Sequence, residues 1–135
     1  ALDSISAWSA EAGLNNILAP IQIDASADWS AVKCDAILCC NMIHISPWDA
    51  AIGLFRNTGE VLAKGGALIV YGPYIEDDAP TAASNRDFDR TLRARNPEWG
   101  LRNVAGLDTL AANHGLRRSA RHDMPANNLL LVYRR

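Results

Sequence analysis

Residues 35–74 read DAILCCNMIHISPWDAAIGLFRNTGEVLAKGGALIVYGPY, and this stretch decides the fold. A continuous apolar run, Ala36–Cys40, lies within a predicted strand over residues 35–42. A second run, Ala67–Tyr71, predicts another short strand. Apolar runs without alternation are typical of strands covered on both faces, as in parallel sheets. The residues between them carry the apolar spacing of a helix. The stretch therefore predicts a strand–helix–strand unit.

The ends of this helix have their own sequence signals. Ser46 is the expected N-cap and Pro47 the expected first helical residue. The helix is predicted to run to about Lys64, where Gly65-Gly66 ends it. Gly59 lies inside and is expected to bend or divide the helix.

Helices and strands alternate outward from this unit as well. Pro20 within the first flanking strand indicates an edge position, because proline donates no backbone hydrogen bond. The alternation as a whole predicts a parallel, doubly wound sheet in a single α/β domain over residues 1–135. The flanking elements are a helix over Leu2–Ala12 ended by Gly13, a strand over Ile17–Ile23, a loop or short helical turn over 25–33, helices over Thr81–Arg95 and Val104–Asn113, and strands over Leu116–Arg121 and Asn128–Tyr133.

The last two strands are joined differently from the others. Only residues 122–127 separate them, whereas a parallel crossover needs about a dozen residues or more. The last strand is therefore predicted to be antiparallel to its neighbour in a mostly parallel sheet.

Composition excludes several function classes. A formal net charge of −2 gives no field that would favour nucleic acid, and no apolar run is long enough to span a bilayer. No signal peptide opens the chain, and the three cysteines are interpreted as reduced thiols in a cytoplasmic compartment. A metal site built from Cys34, Cys39, Cys40 and His44 is disfavoured, because adjacent residues of a strand point to opposite faces. No metal is predicted.

Four segments then carry a resemblance to a known family. They are residues 41–48 (NMIHISPW), 71–74 (YGPY), 84–89 with Ser84-Asn85 and Phe88-Asp89, and 124–128 (MPANN). Across essentially its whole length the chain resembles the methyltransferase-like 26 family. The resemblance implies a Rossmann-like class I methyltransferase fold with S-adenosylmethionine as cofactor. It also implies an N-terminally truncated domain that lacks the first two strands.

The chain departs from that family pattern in its cofactor loop. The glycine-rich loop after the first strand and the acidic residue after the second are both absent from the sequence. Loss of these strands is expected to leave the edge of the 35–42 strand unpaired. An apolar open edge is sticky, so it is predicted to re-pair with the Ile17–Ile23 strand or to pair across a homo-oligomer.

Candidate site residues follow the ends of the predicted strands, where open α/β sheets bind ligands. Asp24, Ala25, Asn41 and Met42 are predicted to bind the cofactor. The resemblance implies that Asp24 accepts a hydrogen bond from the adenine amino group. The alternative is that Asp24 only caps the turn that it opens.

His44, Tyr71 and Asn41 are the candidate catalytic residues. His44 can act as a general base because the pKa of histidine lies near neutrality; alternatively it only orders its loop. The candidate substrate-binding residues are Trp48, Tyr74, Asn85 and Asn127. Packing against the sheet is the alternative role for Trp48, and turn formation the alternative for the asparagines.

Two functions remain open from the sequence. The first is a methyltransferase acting on a small molecule or a protein side chain. The second is a truncated, non-catalytic α/β domain that self-assembles or binds a partner. Direct methyl transfer needs no protein nucleophile, so the absence of a catalytic triad does not exclude the first.

Overall fold

The computed structural model describes residues 1–29 and 33–135, which form an α/β fold. Two 3₁₀ turns, at Ile43–Ile45 and Pro125–Asn127, lie at the ends of strands. The helices and strands are α1 (Leu2–Glu11), β1 (Cys34–Cys40), α2 (Trp48–Val61), β2 (Leu62–Gly72), β3 (Tyr74–Ile75), α3 (Ala83–Arg95), β4 (Arg102–Asn103), α4 (Val104–Asn113), β5 (Arg117–Met124) and β6 (Asn128–Arg134).

The main sheet has the strand order β1-β2-β6-β5. β1 pairs with β2 in parallel, and β6 pairs antiparallel with both β2 and β5. β1, β2 and β5 therefore run the same way and end on one rim, while β6 runs against them. This arrangement confirms the predicted mostly parallel sheet with an antiparallel last strand. The short β3 and β4 pair in parallel as a separate two-stranded sheet.

The core lies on the face of the sheet that α2 and α4 cover. Phe55 of α2 packs edge-on against Tyr133 of β6, with ring centroids 5.1 Å apart, and both side chains are fully buried. The Tyr133 hydroxyl donates to Asp108 of α4 at 2.9 Å, so its polar end is satisfied inside the core. Asp108 in turn receives a bidentate pair of hydrogen bonds from Arg118.

The opposite face of the sheet is covered less well than the continuous apolar runs predict. Leu38 of β1 is 66% exposed, and Ile69, Leu130 and Val132 are only half-buried. Helix α1 contributes no buried residue, and Trp8 on it is 69% exposed. Within the described residues, the apolar character of β1 and β6 therefore exceeds what the chain itself buries.

The predicted strand over Ile17–Ile23 is wrong. These residues have no regular secondary structure and pair with no described strand, and Leu18 is 89% exposed. Apolar composition alone does not make a strand, because a strand needs a partner edge for its backbone. The expectation that this segment covers the edge of β1 is wrong for the same reason. Part of the predicted 25–33 loop, residues 30–32, lies outside the described residues.

Both ends of α2 differ from the prediction. Ser46 does not cap the helix, because its hydroxyl donates to the carbonyl oxygen of Met42 at 2.9 Å and so closes the preceding turn. Pro47 takes the N-cap position, and the helix ends at Val61 rather than Lys64. β2 begins at once with the buried Leu62, and Gly65, with a φ of 82°, provides the irregular turn of that strand.

Gly59 neither bends nor divides α2. A Cβ atom there would collide with the backbone of His114, so its missing side chain lets the residues after α4 approach the helix closely. The other predicted helices agree with the structure to within two residues.

Candidate functional site

A cavity of about 550 Å³ opens on the rim where β1 and β2 end. We call it the rim cavity. Its walls come from the ends of β1 and β2, the first turns of α3 and the 3₁₀ turn before β6, so the strand ends converge there as expected for an α/β sheet. The lining residues are Asn41, His44, Ile45, Pro73, Ser84, Asn85, Phe88, Ala126, Asn127 and Asn128.

His44, like Asn85, is a buried polar residue of this cavity. Its side chain is only 3% exposed, and its Nδ1 atom has no hydrogen-bond partner among the described residues. The ring meets Phe88 of α3 edge-on, with centroids 5.6 Å apart. A Cβ atom at Gly72 would lie 3.2 Å from Nδ1, so glycine at the end of β2 makes room for the imidazole. A buried polar atom without a partner is uncommon in proteins, and a catalytic role is one explanation for it.

The surroundings of His44 favour its uncharged form. Burial is the main cause that lowers the pKa of His44 below its usual value of 6.5, and the nearby positive charge of Arg102 lowers it further. A neutral imidazole can accept a proton at neutral pH, as a general base must.

Asparagine amides hold the far wall of the cavity together. The Asn85 amide donates to the Asn127 carbonyl oxygen at 2.9 Å, and the Asn127 amide donates to the Ser84 hydroxyl at 3.1 Å. Asn128 donates to the Tyr71 hydroxyl at 3.2 Å, which ties the cavity wall to β2.

The backbone of this wall is strained. Asn127 and Ala126 have φ values of 58° and 59°, and Asn41 across the cavity has 57°. Left-handed backbone at residues other than glycine is uncommon and concentrates at functional sites.

A second cleft, of about 540 Å³, lies on the open side of β1. We call it the edge cleft. Ala25 and Met42 line it together with apolar side chains such as Ile23 and Ile37. Asn41 faces the rim cavity while Met42 faces the edge cleft, so the end of β1 separates the two.

The edge cleft fits the flat apolar part of a nucleoside better than its polar part. Asp24 lies beside the cleft, but its Oδ1 atom accepts hydrogen bonds from the Ser26 backbone and hydroxyl at 2.8 and 2.7 Å. These bonds lower the pKa of Asp24 and build a turn, which is the alternative role predicted for this residue. Of the residues predicted to bind the cofactor, Ala25 and Met42 line this cleft, whereas Asp24 and Asn41 do not.

The turn that carries Asp24 and Ala25 is held on α2 by a buried asparagine. The Asn57 amide donates to the Ala27 carbonyl oxygen at 2.7 Å, and its Oδ1 accepts the Trp29 backbone N–H at 3.0 Å. Gly53, one helical turn earlier, lets the backbone of this turn touch the helix. Thus α2 positions the turn that carries Ala25, one of the residues that line the edge cleft.

Other predicted site residues take different places. Trp48 does not line either cavity; its ring packs beside the core, with the Arg102 guanidinium 5.5 Å from the ring centroid. Tyr74 is buried and borders a neighbouring polar cavity shared with Asn85 and Asn127. Burial raises the pKa of the Tyr74 hydroxyl above its usual range. Tyr71 reaches the rim cavity only through Asn128.

Sequence reasoning missed three residues of this site. Phe88 contacts the imidazole ring, Gly72 makes room for it, and Arg102 binds the turn that carries it. The glycine between Tyr71 and Pro73 was the available signal, because a rim position that excludes a side chain implies close approach of another group. No sequence signal connects Arg102 with His44, which lies 58 positions earlier in the chain.

Among the described residues, no three His, Cys, Asp or Glu side chains lie together as a metal would require. Burial raises the pKa of the Cys39 thiol to about 11, which keeps it protonated. No helix in the described ranges has the length and apolarity needed to cross a bilayer.

The solved structures that are similar to this chain include several methyltransferases. The mitomycin 7-O-methyltransferase MmcR is 19% identical over 99% of this chain with a TM-score of 0.82, and the match covers 39% of MmcR. An O-methyltransferase family protein from Burkholderia thailandensis is 15% identical over 98% of this chain, with a TM-score of 0.81 and 40% of that protein covered. The neocarzinostatin O-methyltransferase NcsB1, in complex with S-adenosylmethionine and 2-hydroxy-5-methyl naphthoic acid, is 17% identical over 98% of this chain, with a TM-score of 0.76 and 38% covered.

At these identities the likeness shows the fold, which is Rossmann-like and of the methyltransferase type. The chain spans about two-fifths of the length of each of these structures. A family model matches residues 1–135 in full, and the chain therefore belongs to the family described as protein of unknown function DUF938.

Proposed function

We propose that this chain forms the acceptor site and part of the cofactor site of an S-adenosylmethionine-dependent methyltransferase of the methyltransferase-like 26 group. The acceptor is an uncharged small molecule with a hydroxyl group, and His44 is the general base. Residues 1–135 are one partial domain of such an enzyme. The observation that carries the proposal is the buried imidazole of His44 in the rim cavity, whose Nδ1 atom has no hydrogen-bond partner among the described residues.

The chemistry assigned to the site is a single displacement. S-adenosylmethionine, when bound, supplies an activated methyl group on a sulfonium centre. His44 accepts the proton of the acceptor hydroxyl as the oxygen–methyl bond forms and the sulfur–methyl bond breaks, which leaves S-adenosylhomocysteine and an imidazolium. Because the fold lowers the pKa of His44, that proton passes readily to solvent afterwards.

The rim cavity supports an uncharged acceptor. Its ten lining residues include no Lys, Arg, Asp or Glu. A charged acceptor would lose its water there without gaining a partner of opposite charge, which is costly. Phe88 and Ile45 offer apolar surface for a ring, and the amides of Asn41 and Asn127 offer hydrogen bonds.

The edge cleft supports the cofactor assignment on a different observation. Its lining is mostly apolar, and it adjoins the rim cavity at Asn41 and Met42. Ala25 and Met42 would hold the adenosyl group, and the bound cofactor would supply its methyl group to an acceptor in the adjoining rim cavity. Asn41 is assigned to the boundary between cofactor and acceptor, and Tyr71 to support of the wall through Asn128.

The test separates cofactor binding from catalysis. Calorimetry with S-adenosylmethionine and S-adenosylhomocysteine should show binding by the protein. Release of S-adenosylhomocysteine is then measured with neutral phenols and with matched hydroxy acids, including the naphthoic acid bound by NcsB1. His44→Gln should retain binding and lower methyl transfer by about 10²–10⁴-fold.

The control is His122→Gln, which changes an exposed histidine on β5. It should leave both binding and transfer unchanged. Full activity of the His44→Gln protein would refute the catalytic role of this histidine. Preference for the hydroxy acids over the neutral phenols would refute the uncharged acceptor.

A second function, self-assembly, is favoured by the open side of the sheet. The outer edge of β1 pairs with no described strand, and Leu38 of this strand is 66% exposed. An unpaired apolar edge is a template for a second copy of the chain. On this view the homo-oligomer forms through β1.

Light scattering tests the second function. The protein should be an oligomer at micromolar concentration, and Leu38→Glu should shift it to the monomer because a charge on the interface strand opposes pairing. Ala112→Glu, on the exposed side of α4, is the control and should keep the oligomer. A monomeric parent protein would exclude this function.

A further inference from the structure

Gly100 and Arg102, in the segment before α4, form hydrogen bonds with the turn that carries His44. The Gly100 N–H donates to the carbonyl oxygen of His44 itself at 3.0 Å. Arg102 donates to the carbonyl oxygen of Ile43 at 3.3 Å and to that of Ser46 at 2.8 Å. Three carbonyl groups of one short turn are thus bound from a single neighbouring segment, so the imidazole has a fixed backbone beneath it.

The guanidinium of Arg102 is held without a carboxylate. Its third hydrogen bond, at 2.7 Å, goes to the Glu98 carbonyl oxygen, and none of the ion pairs between described residues includes it. The other charges beside this segment are Asp89 and Arg93 of α3, which pair with each other at 2.9 Å. Asp89 also accepts the Leu101 N–H at 2.7 Å, and this bond fixes the start of β4.

The charge of Arg102 is therefore only partly compensated where it approaches His44. Burial and Arg93 lower the pKa of Arg102, while Asp89 opposes this effect. Two uncharged groups lie against the imidazole, Phe88 from α3 and Gly72 from β2, and the side-chain oxygen of Asn41 lies beside Gly72. No carboxylate among the described contacts of His44 stabilises its protonated form.

We infer that Arg102 is a positioning residue for His44, because it fixes the turn through two backbone carbonyl groups and thereby keeps its positive charge beside that turn. This inference rests on the proposed function for its consequence in catalysis, but the effect on His44 itself does not require activity. The two roles depend on different properties of arginine. The hydrogen bonds to the turn depend on the several N–H donors of the planar guanidinium. The effect on the pKa of the imidazole depends only on the positive charge.

Two substitutions separate these roles. Arg102→Met removes charge and fork together, and Arg102→Lys retains the charge but not the fork. The titration of His44 is followed by NMR of its ring signals, assigned with His44→Gln. Arg102→Met should raise the midpoint by about half a pH unit or more, because a nearby positive charge is removed. Arg102→Lys should keep the midpoint close to that of the parent protein.

Methyl transfer provides the second measurement. Arg102→Lys should lower kcat about tenfold or more with little change in the KM for S-adenosylmethionine, because a displaced catalytic group costs rate rather than cofactor binding. Arg90→Met, an exposed arginine of α3, is the control for loss of charge and should change neither quantity.

The outcomes distinguish this inference from the proposed function. An unchanged His44 midpoint in Arg102→Met overturns the electrostatic role, even if His44→Gln abolishes transfer. A raised midpoint together with full activity of His44→Gln supports the inference and overturns the proposed function. If Arg102→Met does not fold, Arg102→Lys decides the positioning role, and an unchanged kcat there overturns it.

Discussion

The contact between α2 and the turn at Ala25 gives a sharp test of the structure. Gly53 lies within α2, and a Cβ atom there would be 2.6 Å from the Cα atom of Ser26 and closer still to the Ala25 carbonyl oxygen. Two carbon atoms in ordinary contact are about 3.5 Å apart. In Gly53→Ala, the turn must therefore withdraw from α2 by roughly 0.9 Å, the difference between these distances.

That withdrawal breaks the contacts that hold the turn. The bond from Asn57 to the Ala27 carbonyl oxygen, 2.7 Å long, would lengthen by the same amount to about 3.6 Å and cease to be a hydrogen bond. Overpacking costs about 1–3 kcal/mol, and a lost hydrogen bond about 1 kcal/mol. Against this, alanine improves the helix by at most about 1 kcal/mol. The net expectation is a loss of about 2 kcal/mol.

Urea unfolding followed by circular dichroism measures this loss. Gly106→Ala is the matched control, because it also replaces a helical glycine, but its Cβ would meet only Trp48 at an ordinary distance of 3.7 Å. The control should be stabilised by roughly 0.5 kcal/mol through helix propensity. Equal stabilisation of both variants would refute the docking of the turn on α2. If the edge cleft binds the cofactor, Gly53→Ala should also weaken S-adenosylmethionine binding, since Ala25 lines that cleft.

Two further predictions concern buried polar groups. Thr58 is fully buried and its hydroxyl has no partner among the described residues, so Thr58→Val should raise the free energy of unfolding by about 1 kcal/mol in the same urea assay; a loss would show that the hydroxyl is satisfied. The fold lowers the pKa of His44 below its usual 6.5, so the folded state binds a proton at this ring less readily than the unfolded state. The contribution of the neutral ring to the free energy of unfolding is therefore present above pH 6.5. It is lost as the pH falls through the lowered pKa of the folded protein. Melting temperatures between pH 7.5 and about pH 5 should therefore fall more steeply for the parent protein than for His44→Gln, and parallel curves would contradict the lowered pKa.

The periodicity of apolar residues and the lengths of the connecting segments were enough to predict most of the fold. Apolar runs at Ala36–Cys40 and Ala67–Tyr71, with a helix between them, define a strand–helix–strand unit because buried strands and amphipathic helices leave different periodicities. The short link before Asn128 was enough to make the last strand antiparallel, since a chain of that length cannot cross the sheet. The same logic failed at Ile17–Ile23. An apolar segment becomes a strand only when another backbone edge is available to pair with it, and composition does not report that edge.

The candidate site divides in the same way. The sequence by itself determines the direction of the strands through the order and length of its elements. This direction brings together the segments around Asn41, Pro73 and Asn127. The surroundings of His44 were decided only by the tertiary structure. The ring is buried above Gly72 and against Phe88, in surroundings that favour its neutral form, and its turn is bound by Arg102. The physical reason is distance along the chain: burial and electrostatics depend on residues that packing brings together, and a pKa is set by all of them at once.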